Sequence, residues 1–281
     1  MHGTPSLTAK TVALLRAAHQ LAEGGAIFAD PLAVAICCEN VNEISRFVRD
    51  HPEFDRLRLF TVARSRFAED CLASAVDRGV RQVVVLAAGL DTFGLRNPYA
   101  EKQLQVFEVD RPATQQWKRE CLTQAKLQIP AWLRLVTVDF EQENFLERLG
   151  TIGFDSTRPA FFTWLGVVPY LSRQTVFAAL SQMASIPDAE VVFDYGEPID
   201  AYPPARRAGY GAMIAKAAAL GEPWLSFFVP EELATGLSEI GFGTIEDLSP
   251  AEIAGRYFAE HNPSPDAPGA HIVRTRRVPI S

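Results

Sequence analysis

The chain has 281 residues, 48% hydrophobic and 22% charged, which suits one large α/β domain or two small ones and excludes a disordered or fibrous chain. Its 34 acidic and 27 basic residues leave a net charge of −7 without long runs of one sign, whereas a protein that grips a nucleic-acid backbone needs a dominant basic patch. The first residues hold no unbroken apolar core ahead of a small-residue cleavage site, and the longest apolar runs fall short of the roughly 20 residues of a membrane span, so a cytoplasmic protein away from membranes is expected.

Residues 1–79 read as a helical cap. Leu14, Leu15 and Ala18 mark one helix, and Asp30-Pro31 looks like the N-cap and first-turn proline of another. Phe60, Ala63, Phe67, Cys71 and Ala75 recur every three or four residues, the apolar stripe of a helix from Asp55 to Asp77. After Gly79 the pattern changes to strands. Gln82–Ala88 is a continuous β-branched run ending in a glycine turn, as expected of a central strand covered on both faces. Similar runs lie at Leu104–Val109, Leu133–Val138, Ala160–Leu165 and Glu190–Tyr195, separated by helix-like segments near Ala113–Ala125, Gln142–Leu149 and Arg173–Ser185. This alternation predicts a parallel, doubly wound sheet, because parallel neighbours need crossover connections. Gly243–Leu248 and Ala270–Arg276 close it; Pro198–Pro230 is an Ala-, Gly- and Pro-rich helical insertion, and His261–Gly269 is loop-like. The expected organisation is a single domain, residues 1–281, with the cap at 1–79 and an α/β core at 80–281 carrying its insertion at about 198–230. Cys37, Cys38, Cys71 and Cys121 lack metal-ligand spacing and read as small buried hydrophobes, so no metal is expected.

The first strand leads into Gly89-Leu90-Asp91-Thr92, and the second ends in Glu108-Val109-Asp110. A glycine turn lets a ligand approach the backbone, and an acidic residue about 20 positions on can accept hydrogen bonds from a ribose diol. Ala87 and Ala88 stand where further glycines would be hoped for and Thr92 where the third would fall, so the turn also fits an ordinary strand-to-helix connection. Of the two acids on one strand face, Asp110 at the carboxyl end is the better ribose ligand. Asp139, followed by Phe140, ends the third strand, where it fits both an adenine ligand and an N-cap.

Ala63-Arg64-Ser65-Arg66-Phe67-Ala68-Glu69-Asp70, QVVVLAAGLDTFGLR, VFEVDRP and LVTVDF together resemble the leucine carboxyl methyltransferase-like family of S-adenosylmethionine-dependent O-methyltransferases, in particular its bacterial small-molecule branch. The likeness runs from Ser6-Leu7-Thr8-Ala9 through Phe28-Ala29-Asp30-Pro31 to Trp164-Leu165-Gly166-Val167-Val168-Pro169-Tyr170-Leu171, Pro223-Trp224 and Pro230. It implies a class I methyltransferase (Rossmann-like) fold, a seven-stranded, mostly parallel sheet with its last strand antiparallel. By matching position, Arg64 would bind the methionine carboxylate of S-adenosyl-L-methionine, Ala87, Ala88, Gly89 and Asp91 its methionyl part, Asp110 its ribose, and Asp139 with Phe140 its adenine; Trp164 is a further cofactor-binding candidate. An Arg64 otherwise paired with Glu69 or Asp70 is the alternative. Two departures stand out: Ala87 replaces the family's usual first glycine, and Leu165-Gly166 stands where many members carry Glu-Gly.

An activated methyl needs mainly an aligned nucleophile and a dry site. A carboxylate acceptor is already ionised at neutral pH, whereas a phenol gains from a base, and none of the five histidines lies in a catalytic motif. His51, His261 and His271 read as solvated, and His19 as the one to test. Tyr170, Tyr195 and Arg16 are the catalytic candidates, with Trp164 and Trp224 beside them in an acceptor pocket. The expected reaction is methyl transfer to an oxygen of a small-molecule acceptor, a carboxylic acid or a phenol. A non-catalytic S-adenosylmethionine-binding protein is the alternative. A nicotinamide-dependent reductase is weakened by the lack of a Tyr-x-x-x-Lys pair, and a hydrolase by the lack of G-x-S-x-G.

Overall fold

Residues 7–138, 143–219, 221–258, 264 and 267–277 are described in a computed structural model of the chain. They divide into two compact units that meet in sequence at Phe154 and Asp155.

The first unit starts with helices α1 (Leu7–Ala22), α2 (Ala33–Ile36), α3 (Val41–Asp50) and α4 (Asp55–Asp77) and continues as β1 (Gln82–Leu86), α5 (Phe93–Arg96), β2 (Gln105–Asp110), α6 (Pro112–Gln124), β3 (Leu133–Thr137) and α7 (Phe145–Gly150). Its strands are parallel in the order β3-β2-β1, with Leu86 opposite Val109 and Asp110 opposite Thr137. Every residue of β1 is buried, as its unbroken Val run requires of a strand covered on both faces. The cap is not a separate body. Ala13, Ala17 and Ala18 of α1 share one apolar cluster with Ile36, Ile44, Leu90 and Leu122, so the small side chains of α1 seat the cap directly on the turn after β1 and on α6.

The second unit contains β4 (Phe161–Trp164), α8 (Arg173–Ala184), β5 (Glu190–Gly196), α9 (Pro204–Ala219), α10 (Pro230–Glu239), β6 (Phe242–Leu248), α11 (Pro250–Tyr257) and β7 (Ala270–Arg277). β4 and β5 are parallel, while β7 runs antiparallel between β5 and β6. The Pro198–Pro230 insertion becomes α9, on which no side chain is buried.

Three expectations are corrected. The helix after Asp30-Pro31 starts two residues later than expected, at Ala33 with Leu32 at its N-cap position; the Asp30 carboxylate accepts the Leu32 amide at 3.2 Å and is held as well by Arg16 and Thr92. Cys37 and Cys71 are free and buried, but Cys38 and Cys121 are joined as a disulfide, their Cα atoms 5.8 Å apart, within the range a bridge requires. His271 is not solvated. It sits in β7, 6% exposed, opposite Tyr195 of β5. His51 is exposed, as expected. His19 is fully buried and structural, with Nδ1 against Glu23 and Nε2 accepting from the amides of Ile27 and Phe28.

Candidate active site

Asp110 closes β2 with its side chain 8% exposed. One carboxylate oxygen accepts the Gly89 amide at 2.7 Å and the other the Arg111 amide at 2.7 Å. Burial pushes its pKa up, and the two amides pull the other way. The Thr114 hydroxyl bonds it too, and since a carboxylate offers about four lone-pair directions, acceptor capacity remains for a ligand hydroxyl.

The turn facing it is wound left-handed. Ala87 has φ +50° and Gly89 φ +51°, which ends β1 at Leu86 and not at Ala88. Glycine accepts such angles freely, whereas alanine incurs on the order of 1 kcal/mol. Ala87→Gly should therefore raise the unfolding free energy by about 1 kcal/mol in urea titration without weakening nucleotide binding; a fall in stability would contradict this reading of the turn. Asp91 bonds the Phe93 amide at 2.7 Å and so opens α5.

Arg64 is buried on α4, with its guanidinium 5.6 Å from the Phe60 ring centroid. Nearby, Glu69 bonds Arg96, and Asp70 bonds Arg66 at 2.8 Å. Asp139 and Phe140 lie outside the described residues. The donor set of this unit nonetheless fits S-adenosylmethionine: a planar guanidinium for a carboxylate, a backbone turn of small residues, and a buried carboxylate for a diol.

Arg16 is 5% exposed and committed within the protein. It pairs with Asp30, donates to Thr92 Oγ1 at 2.8 Å and to the Leu90 carbonyl at 3.4 Å, and lies 3.6 Å from Asp91. Thr92 accepts from Arg16 and from Arg96 while donating to Asp30, so the residue that replaces a glycine is the hub of a buried ionic network. Spacing alone could not reveal this, because its members come from α1, the following loop, and α5.

In the second unit, Trp164 ends β4, 1% exposed, and its indole N–H has no hydrogen-bond partner among the described residues. Tyr170 is half-buried in the turn after Gly166. Leu165 brings no carboxylate, but Asp194 of β5 does, accepting the Gly166 amide at 2.6 Å. Trp224 lies in an aromatic group with Tyr210 and Phe227. Tyr195 donates its hydroxyl to Asp247 at 2.6 Å, and its ring stacks on His271 at 4.8 Å. His271 also meets Asp247 at 2.9 Å and Glu197 at 3.1 Å.

The His271 pKa is raised. Burial opposes the charge, but Asp247 and then Glu197 outweigh it. A histidine whose pKa rises on folding contributes stability that is complete below its unfolded pKa, about 6.5, and is lost as pH rises through the folded value. The stability gap between the natural chain and His271→Gln should therefore be widest in mild acid and shrink towards alkaline pH in melts across a pH series. A gap that grows with pH would contradict the pairing. Burial first, then Asp247, pushes the Tyr195 phenol far above its ordinary value, so this hydroxyl stays protonated.

Comparison with known proteins gives the class. A structure from Thermobifida fusca YX named as a methyltransferase superposes over 98% of this chain and 95% of its own, with TM-score 0.60 and 17% identity. The fold is thus the class I methyltransferase, Rossmann-like α/β fold. The model of the family described as "Leucine carboxyl methyltransferase" matches residues 9–184, and the chain belongs to that family. YktD of Bacillus subtilis (strain 168), named as an S-adenosyl-L-methionine-dependent methyltransferase, is 38% identical over 70% of this chain and 66% of its own length. A protein of Mycobacterium sp. (strain KMS) with the same kind of name is 35% identical over 45% of this chain and 42% of its own. The matched part thus spans just under two thirds of the Bacillus relative and less than half of the mycobacterial one. Among the described residues no helix is long and apolar enough to cross a membrane, and no group of His, Cys, Asp and Glu is arranged to hold a metal.

Proposed function

We propose that the chain is an S-adenosylmethionine-dependent O-methyltransferase acting on a small-molecule acceptor, with a carboxylate as the receiving group. The observation that carries the cofactor half is the buried Asp110 carboxylate bonded to the Gly89 amide, a fixed acceptor beside a turn of small residues. In this reading Arg64 takes the methionine carboxylate, residues 87–91 border the methionyl chain, and Asp110 orients the ribose. The bound cofactor supplies an activated methyl on a sulfonium centre. The protein's own part is to orient the acceptor and exclude water.

The acceptor assignment draws on the second unit. Tyr195 is held protonated by Asp247, and His271 is held between two carboxylates, so neither is poised to take a proton from an acceptor. A carboxylate needs no such base, which favours it over a phenol. Tyr170 and Trp164 remain the acceptor-side candidates. Incubation with methyl-labelled S-adenosylmethionine and a panel of carboxylic acids, phenols and a C-terminal leucine peptide, followed by mild base, separates the readings. Label released as methanol from a small acid is the expected result. Base-stable label would transfer the assignment to a phenol or amine, and cofactor binding without any transfer would mean a non-catalytic protein.

A further inference from the structure

We infer that Lys118 is a positioning residue: its buried ammonium holds the cofactor turn in place by the Asp91 carbonyl. Lys118 lies on α6, 1% exposed, one of five lysines in the chain. It pairs with Glu108, itself fully buried on β2, and donates to the Asp91 carbonyl oxygen at 2.6 Å. Gly94 leaves room for this pair, since a Cβ there would stand 2.7 Å from the Glu108 carboxylate.

Stability alone does not account for the arrangement. Withdrawing two charges from water costs as much as their attraction returns, and well-packed apolar replacements are commonly as stable or more so. What an apolar pair cannot supply is a donor for the turn. From the other side, Arg16 of α1 reaches the preceding carbonyl, that of Leu90, at 3.4 Å. Two consecutive carbonyls of the Gly89–Thr92 turn are thus drawn inward by cations from two helices, while the Gly89 amide is fixed on Asp110. A turn that holds a left-handed alanine, Ala87, persists only where its surroundings hold it, and these ties are such surroundings.

The inference rests on the placement of the cofactor at this turn, and the experiment separates the two. Affinity for S-adenosylhomocysteine is measured by calorimetry, alongside melting temperature, for Asp110→Ala, for Glu108→Leu/Lys118→Met, and for Glu108→Gln/Lys118→Gln, which keeps an N–H donor at position 118. The Leu/Met variant should melt near the natural chain yet bind about ten-fold more weakly, as loss of a hydrogen bond from a charged donor implies; the Gln/Gln variant should recover part of that loss. Natural affinity in a folded Leu/Met variant, with Asp110→Ala weakened, overturns the positioning role. Unchanged affinity in Asp110→Ala overturns the placement of the site instead. Should the Leu/Met variant fail to fold, hydrogen exchange decides: in the cofactor-free natural chain, the amides of residues 89–92 should exchange as slowly as strand amides, and exchange at unfolded rates overturns the proposal.

Discussion

Asp110→Ala is expected to weaken S-adenosylmethionine binding at least about a hundred-fold while leaving the chain folded. Each hydrogen bond from a ribose hydroxyl to an ionised carboxylate is worth about 1.5–3 kcal/mol, so two amount to two or more factors of ten. The substitution also leaves the Gly89 amide without its acceptor, which loosens the turn that borders the cofactor. Stability should not suffer in proportion. Burial raises the Asp110 pKa, so folding disfavours its charged form and the carboxylate adds little to stability, as is common for a binding group. Asp110→Asn, which keeps one acceptor oxygen, should lose less. Calorimetric titration with S-adenosylhomocysteine measures both, and unchanged affinity in the alanine variant would remove Asp110 from the site.

The second large effect concerns stability. Asp30 is fully buried between Arg16, Arg96 and the Thr92 hydroxyl, and these partners, Arg16 foremost, hold its pKa low against the desolvation that is the largest influence on it. Asp30→Asn leaves two largely buried guanidinium groups without their common counter-ion. Breaking such a pair from one side costs about 3–5 kcal/mol, which lowers the melting temperature by on the order of 10 °C. A carboxylate with a depressed folded pKa contributes stability above its unfolded value of about 3.9 and loses it as pH falls through the folded value. The difference between the natural chain and Asp30→Asn should accordingly be full at neutral pH and close in strong acid. A loss below 1 kcal/mol at pH 7 would show that the network does not hold the cap to the turn.

How far the sequence carried these conclusions differs by element. The seven strands among the described residues lie where hydrophobic runs and β-branched residues place them, and α4 matches its predicted span from Asp55 to Asp77, because periodicity reports burial directly. The Gly89–Asp110 relation was legible for the same reason: the turn and the strand end fall on neighbouring strands of one parallel unit. What escaped was pairing at a distance. His271 lies opposite Tyr195 only through the antiparallel register of β5 and β7, which no local pattern reports, so a buried and doubly paired histidine read as a solvated one. Asp30-Pro31 has the form of a helix start, and its carboxylate does take the Leu32 amide, but its pairing with two arginines from other elements leaves no local trace. Lys118 did leave a signal. It shares the buried face of α6 with Gln115, Cys121 and Leu122, and a lysine on the apolar stripe of a helix calls for a carboxylate and an acceptor inside the fold.

A crystal structure with S-adenosylhomocysteine bound tests the account most directly. It should place both ribose hydroxyls on Asp110 and the amino-acid carboxylate on Arg64, with the chain between them lying along residues 87–91. A nucleoside bound away from Asp110, or a carboxylate held by some other cation than Arg64, would contradict it.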